Sequence, residues 1–117
     1  MIVNERIPNA DDAVIEPEKL YGYLLSRAHP IGKFKAKFFN ALGYWSDSWQ
    51  RLEADLRTQH LSETARLVGS TRYGQKYEIR AMLQGPIGRP AFVVSVWLVP
   101  PGEDRPRFVT AYPGDPK

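Results

Sequence analysis

The sequence spans 117 residues and 13.3 kDa, a length that suits one domain, residues 1–117, with a single core and no covalent staples. It has no cysteine, which excludes disulfides, thiolate zinc sites and thiol nucleophiles and agrees with a reducing cytoplasm. No basic leader with an apolar run opens it and no apolar stretch approaches a membrane span, so neither a signal peptide nor a membrane partner is expected. The net charge of +3 is unevenly spread: residues 1–19 hold two basic and five acidic groups, residues 20–60 six and three, and residues 61–117 eight and five. A basic body behind an acidic leader fits an anionic partner such as nucleic acid, or equally an ordinary solvated surface.

Residues 1–15 mix short apolar pieces with Pro8, Asn9, Asp11 and Asp12, and read as an irregular acidic arm with one short strand at Ala13 to Ile15. The stretch 16–60 reads as helical. Pro17 fits a first helical position with Glu18 behind it, and Leu20, Tyr21, Leu24 and Leu25 make the buried stripe of a short helix ending near Ser26. His29-Pro30-Ile31-Gly32 breaks that pattern, and a second helix runs from about Lys33 to Leu42. Its period puts Phe34, Phe38, Ala41 and Leu42 on the buried face, with Lys33, Lys37 and Asn40 opposite and Gly43 as the stop. Ser46 or Asp47 caps a third helix, Gln50 completes a capping box, Trp49, Leu52 and Leu56 are its buried stripe, and it fades at about Gln59.

From Thr64 the period falls to 2. Ala65 and Leu67 alternate with Arg66 and Val68, and Tyr77, Ile79, Ala81 and Leu83 alternate with Lys76, Glu78, Arg80 and Met82. After a turn at Gly85 to Gly88, Ala91 to Val99 is so continuously apolar that it belongs at a sheet centre. Pro100 to Asp104 turns the chain again, Arg107 to Tyr112 is the last strand, and 114–117 is a tail. The expected fold is α+β, with two to three N-terminal helices on one face of a four-stranded antiparallel sheet over 61–113 and the other face left as a cleft floor.

The stretch richest in chemistry is HPIGKFKAKFF, from His29 to Phe39. His29 is the best candidate for a general base or acid, because its unperturbed pKa lies near working pH, and it suits equally a turn cap bonded to a backbone group. Lys33, Lys35 and Lys37 suit phosphates or a solvated basic face. On the last strand Phe108, Thr110 and Tyr112 are expected on one face and Arg107, Val109 and Ala111 on the other. Thr110 and Tyr112 would offer two hydroxyls to a phosphate or ribose, while Tyr112 also suits a ring that closes the core. Trp97 reads first as central-strand packing and second as a base-stacking surface, and Arg72, before a turn, can reach a phosphate. His60, past a helix end, reads as a surface residue. There is no Walker loop, GxGxxG, HExxH or His/Asp cluster with metal spacing, so no metal and no cofactor is expected.

Several blocks in order carry a resemblance: KLYGYLLSRAHPIGKFKAKFF with ALGY after it, Tyr73-Gly74-Gln75-Lys76-Tyr77, Gly85 to Gly88, Val96-Trp97, and RFVTAYP from Arg107 to Pro113. Over about Ile7 to Pro113 the chain resembles an uncharacterised bacterial domain family related to the C-terminal domains of polymorphic and contact-dependent-inhibition toxins. The layout is similar to that of the barnase–EndoU–colicin–RelE ribonucleases. The resemblance implies a metal-independent endoribonuclease toxin acting on transfer or messenger RNA and neutralised by a small cognate antitoxin or immunity protein. With no delivery module in the chain, the implied setting is an intracellular toxin–antitoxin pair. Lys35, which matches the family's KAxFF block, falls to the scissile phosphate, and Lys33 and Lys37 to more distant ones. His29, Lys35, Thr110 and Tyr112 then form the expected catalytic set, with Lys33, Lys37, Arg72 and Trp97 as RNA contacts. Two other readings remain open, a non-enzymatic nucleic-acid-binding module and a protein-interaction or phage-associated structural domain.

Overall fold

The computed structural model of the protein describes residues 5–115, so Met1 to Asn4 of the expected arm and Pro116 and Lys117 of the expected tail lie outside it. Helix α1 opens as Pro17–Lys19 and continues as a π-helical turn over Leu20–Leu24; α2 is Lys33–Ala41. Helix α3 is Trp49–Asp55, continued by a second π-helical turn over Leu56–His60, with short 3-10 turns at Ala10–Asp12 and Ser46–Ser48. Strands β1 (Ala65–Thr71), β2 (Gly74–Leu83), β3 (Ala91–Val99) and β4 (Arg107–Pro113) form an antiparallel sheet in that order, with β3 interior as its apolar run requires. This is the α+β arrangement that the change of period predicts.

The helices cover one sheet face. Ile79, Ala81 and Leu83 of β2, Val93 and Trp97 of β3, and Phe108 and Ala111 of β4 join Leu20, Leu24, Phe39, Leu52 and Leu56 in one core. The N-terminal arm belongs to it as well, since Ile7, Ala10, Ala13 and Ile15 are buried. The strand expected there is reduced to a single parallel bridge from Val14 to Arg107.

Several local expectations are corrected. The register of β4 shifts between Val96 and Trp97, which pair with Thr110 and Phe108, so Val109 is the extra residue of a bulge. Phe108 therefore points into the core with Ala111, and not to the face of Thr110 and Tyr112 as strict alternation has it. Helix α2 buries Ala36, Phe39 and Asn40, while Phe34 is 75% exposed. Its C-terminus explains the rotation. Gly43 (φ 98°) donates to the Asn40 carbonyl and Tyr44 N–H to that of Phe39, while the Asn40 amide turns inward to the Tyr44 carbonyl at 2.7 Å. Tyr21 is not in the buried stripe of α1 but 40% exposed. Neither Ser46 nor Asp47 caps α3; the Ser46 hydroxyl instead donates to the Tyr21 carbonyl at 2.9 Å.

His60 is fully buried, not a surface residue, because the π-helical turn (Leu61 N–H to the Leu56 carbonyl, 2.9 Å) carries it under the sheet. Its Nδ1 lies 2.7 Å from the Ser95 hydroxyl, which also accepts from Trp97 Nε1 at 2.9 Å. Its Nε2 finds no well-formed hydrogen bond, only a looser approach to the backbone of Ala81. Burial pushes its pKa down from 6.5 to about 4, against a smaller upward pull from that backbone, so the ring is neutral near pH 7.

Candidate functional site

Local devices bring α1, α2 and β4 to one place. In α1 the Leu25 N–H donates to the Leu20 carbonyl five residues back, at 2.8 Å. The wider turn keeps Leu20, Leu24 and Leu25 buried while Tyr23 reaches β4. Ahead of α2, His29 Nδ1 accepts from the N–H groups of Ile31 and Gly32, both at 3.0 Å, which fixes the turn that the sequence marks as a break. Gly32 allows the close approach of this turn to α1, since a Cβ there would collide with the Tyr23 carbonyl oxygen.

At the meeting point the Lys35 ammonium donates to the Tyr23 hydroxyl at 2.8 Å and to the Thr110 hydroxyl at 3.0 Å. The two hydroxyls are 3.5 Å apart. The His29 ring stands edge-on to the Tyr23 ring, with centroids 5.0 Å apart. All four side chains are half-buried. Tyr23 and His29 face a groove of about 390 Å³ shared with Glu16, Glu18, Lys19, Gly22 and Val109.

The electrostatics follow from these contacts. Burial by itself raises the Tyr23 pKa, but the hydrogen bonds from Lys35 and Thr110 and the charges of Lys35 and Lys19 outweigh it and hold the hydroxyl below its usual 10. An ammonium has three donors, and Lys35 spends two on the hydroxyls, leaving one for a ligand. His29 Nδ1 faces two backbone donors, so the neutral ring carries its proton on Nε2 and presents a donor there. That geometry makes the turn-cap reading of His29 real. It also sets the ring against acting as a base, which would require moving the proton to Nδ1 and losing both backbone bonds.

Of the residues expected at the site, His29, Lys35 and Thr110 come together. Tyr112 does not join them; its hydroxyl donates at 3.5 Å to Glu78, and burial and the Glu78 charge hold it above its usual pKa. Lys33 and Lys37 are exposed on α2, beside Arg27 and Phe34. Arg72 lies on the β1–β2 hairpin, at the sheet edge away from β4, bonded to the Tyr73 hydroxyl at 3.0 Å. Trp97 is fully buried against Phe108, so it has no face to offer a base, and the packing reading holds. Tyr23 is the residue that sequence reasoning missed. Its only signal was a tyrosine off the apolar stripe just before the HPIG break. Among the described residues no His, Asp and Glu cluster is placed to hold a metal ion, and no helix is long and apolar enough to cross a membrane.

The profile of a family described as a domain of unknown function, DUF6883, matches residues 6–115. No curated protein matches the sequence. In fold the chain is similar to one chain of a contact-dependent growth inhibition toxin–immunity protein complex from Klebsiella pneumoniae 342. The TM-score is 0.65 over 91% of this chain and 97% of that one, at 19% identity, so the likeness is one of fold.

Proposed function

The chain belongs to the DUF6883 domain family, and we propose that it is a ribonuclease toxin that cuts RNA without metal and is held in check by a small cognate protein. The observation that carries this reading is the Lys35–Tyr23–Thr110 cluster, with His29 against the Tyr23 ring, at the edge of a groove. The fold likeness to a chain of a toxin–immunity complex supports the toxin half. A chain of net charge +3 with such a cluster suits an anionic substrate such as RNA.

In the proposed reaction the ribose 2′-OH attacks phosphorus and the 5′-oxygen leaves, giving a 2′,3′-cyclic phosphate and a free 5′-OH. The step needs a base, an acid and cations for the phosphorane charge. Tyr23, as the phenolate that its neighbours favour, takes the 2′ proton. Lys35 neutralises the phosphorane and gives the proton of its third N–H to the 5′-oxygen. A proton then returns from Tyr23 to Lys35 along their 2.8 Å hydrogen bond, restoring both. The Thr110 O–H holds the Tyr23 phenolate, the His29 Nε2–H donates to a non-bridging oxygen, and Lys33 and Lys37 hold flanking phosphates.

Induced expression in a bacterial host tests the reading. Wild type should arrest growth and leave discrete RNA fragments, and Lys35→Ala should do neither while remaining folded. Arrest that survives Lys35→Ala would sink it. A binding role without cleavage is favoured by one observation, the commitment of His29 Nδ1 to the backbone. RNA affinity with no cut RNA is its signature.

A further inference from the structure

We propose that the outer face of α2 and the turn before α3 form a track for a single-stranded polynucleotide, RNA on the ribonuclease reading, with Phe34 and Trp45 as base-stacking platforms. The inference rests on that reading for the identity of the strand but not for the binding itself.

Phe34 is 75% exposed in the first turn of a helix whose sequence, KFKAKFFNA, holds three lysines and no carboxylate. It shares a depression of about 430 Å³ with Arg27, Lys33 and Lys37, and the Lys33 ammonium lies 5.2 Å from its ring centroid. An aromatic face ringed by cations matches a nucleotide, whose base is flat and apolar and whose phosphate is anionic. A protein partner would bury such a phenylalanine among apolar neighbours, and Ile31 is the one other large apolar side chain exposed within a helical turn of it in sequence.

Arg27 also lines the neighbouring cavity of about 550 Å³, where Trp45 is 47% exposed beside Ser26 and Asp47. Its Nε is fixed on the side-chain amide oxygen (Oδ1) of buried Asn40 at 2.9 Å, and its Nη groups make no hydrogen bond among the described residues. The two cavities therefore meet at a held guanidinium. Asp47 repels a phosphate in the second cavity and accepts N–H donors from a base edge, so that cavity takes a base. Phe34 precedes Lys35 on α2 and projects about 100° round the helix from it, so a strand whose scissile phosphate sits at Lys35 crosses the first turn of α2 to reach the platforms. Stacking needs unpaired bases, which makes the substrate single-stranded loops or ends.

Fluorescence anisotropy with a labelled 2′-O-methyl RNA oligonucleotide, which cannot be cut, tests the track apart from catalysis. Phe34→Ala and Trp45→Ala should each weaken binding roughly 5- to 100-fold without changing its salt dependence, and Phe34→Tyr should restore it. Lys33→Ala should lower the logarithmic salt slope by about 0.7. A single-stranded DNA of the same sequence should show the same dependence on Phe34, because platforms read base faces. Folded Phe34→Ala and Trp45→Ala proteins that bind as tightly as the parent would overturn the proposal. Loss of a cognate protein's binding on Phe34→Ala with oligonucleotide binding intact would overturn it in favour of a protein interface. Platform-dependent binding with unmodified RNA left uncut would remove the ribonuclease reading and leave the track standing.

Discussion

Tyr23 sits between two opposing effects, burial that raises its pKa and the hydrogen bonds and charges of Lys35, Thr110 and Lys19 that lower it, and the lowering effects win. If its phenolate is the base, the cleavage rate rises with pH as Tyr23 ionises, with a midpoint below 10. Lys35→Met should slow the reaction and move that midpoint upward, because the largest lowering contacts are removed; a pH–rate profile checks both. His29 separates in the same way. His29→Asn can keep an acceptor for the Ile31 and Gly32 N–H groups and removes the Nε2 donor, so activity should fall roughly 10- to 100-fold with little change in melting temperature. His29→Ala also loses the cap, at about 1 kcal/mol of stability. His29, Lys35 and Thr110 were legible as candidates because their side chains suit phosphate chemistry wherever they fall. A base role for His29 was not the one its geometry favours, since two backbone N–H groups hold its Nδ1. Tyr23 was not legible, because a tyrosine becomes chemical only through its neighbours, and those come from α2 and β4.

At the scale of elements, the change of period from 3.6 to 2 gave the order of helices and strands, and the turn residues gave their ends. What periodicity missed is where the period itself changes. The π-helical turns over Leu20–Leu24 and Leu56–His60 re-aim Tyr23 and His60, and the Val109 bulge re-aims Phe108. The face of α2 is legible in part: Phe38 packs on the core and Leu42 is buried in it, as the stripe requires. Phe34 and Ala41 are nevertheless exposed and Asn40 is buried, because contacts at Gly32 and Gly43 set the helix rotation. Gly32 allows a direct test. Gly32→Ala must push the first turn of α2 away from the Tyr23 carbonyl and lengthen the Lys35–Tyr23 hydrogen bond. The expected result is a loss of about 1–3 kcal/mol in denaturant stability and a larger proportional loss of activity. Unchanged activity in a destabilised protein would show that this contact serves folding alone.

For the whole molecule, buried His60 couples folding to pH. Unfolded, the ring takes up a proton near pH 6.5; folded, it resists until about pH 4. Below pH 6.5 the unfolded state therefore binds more protons, and stability falls as pH drops from 6.5 towards 4, by on the order of 3 kcal/mol. His60→Leu should flatten that window in urea titrations at pH 7, 5.5 and 4.5, provided the Ser95 hydroxyl keeps its bond from Trp97.

The most direct test of the central claim is cleavage of transfer and messenger RNA by purified protein in EDTA, comparing wild type with Tyr23→Phe. The account predicts discrete fragments ending in 2′,3′-cyclic phosphate from the wild type and at least roughly 100-fold fewer from the variant. Intact RNA in the presence of folded wild type, or equal cutting by the variant, would contradict it.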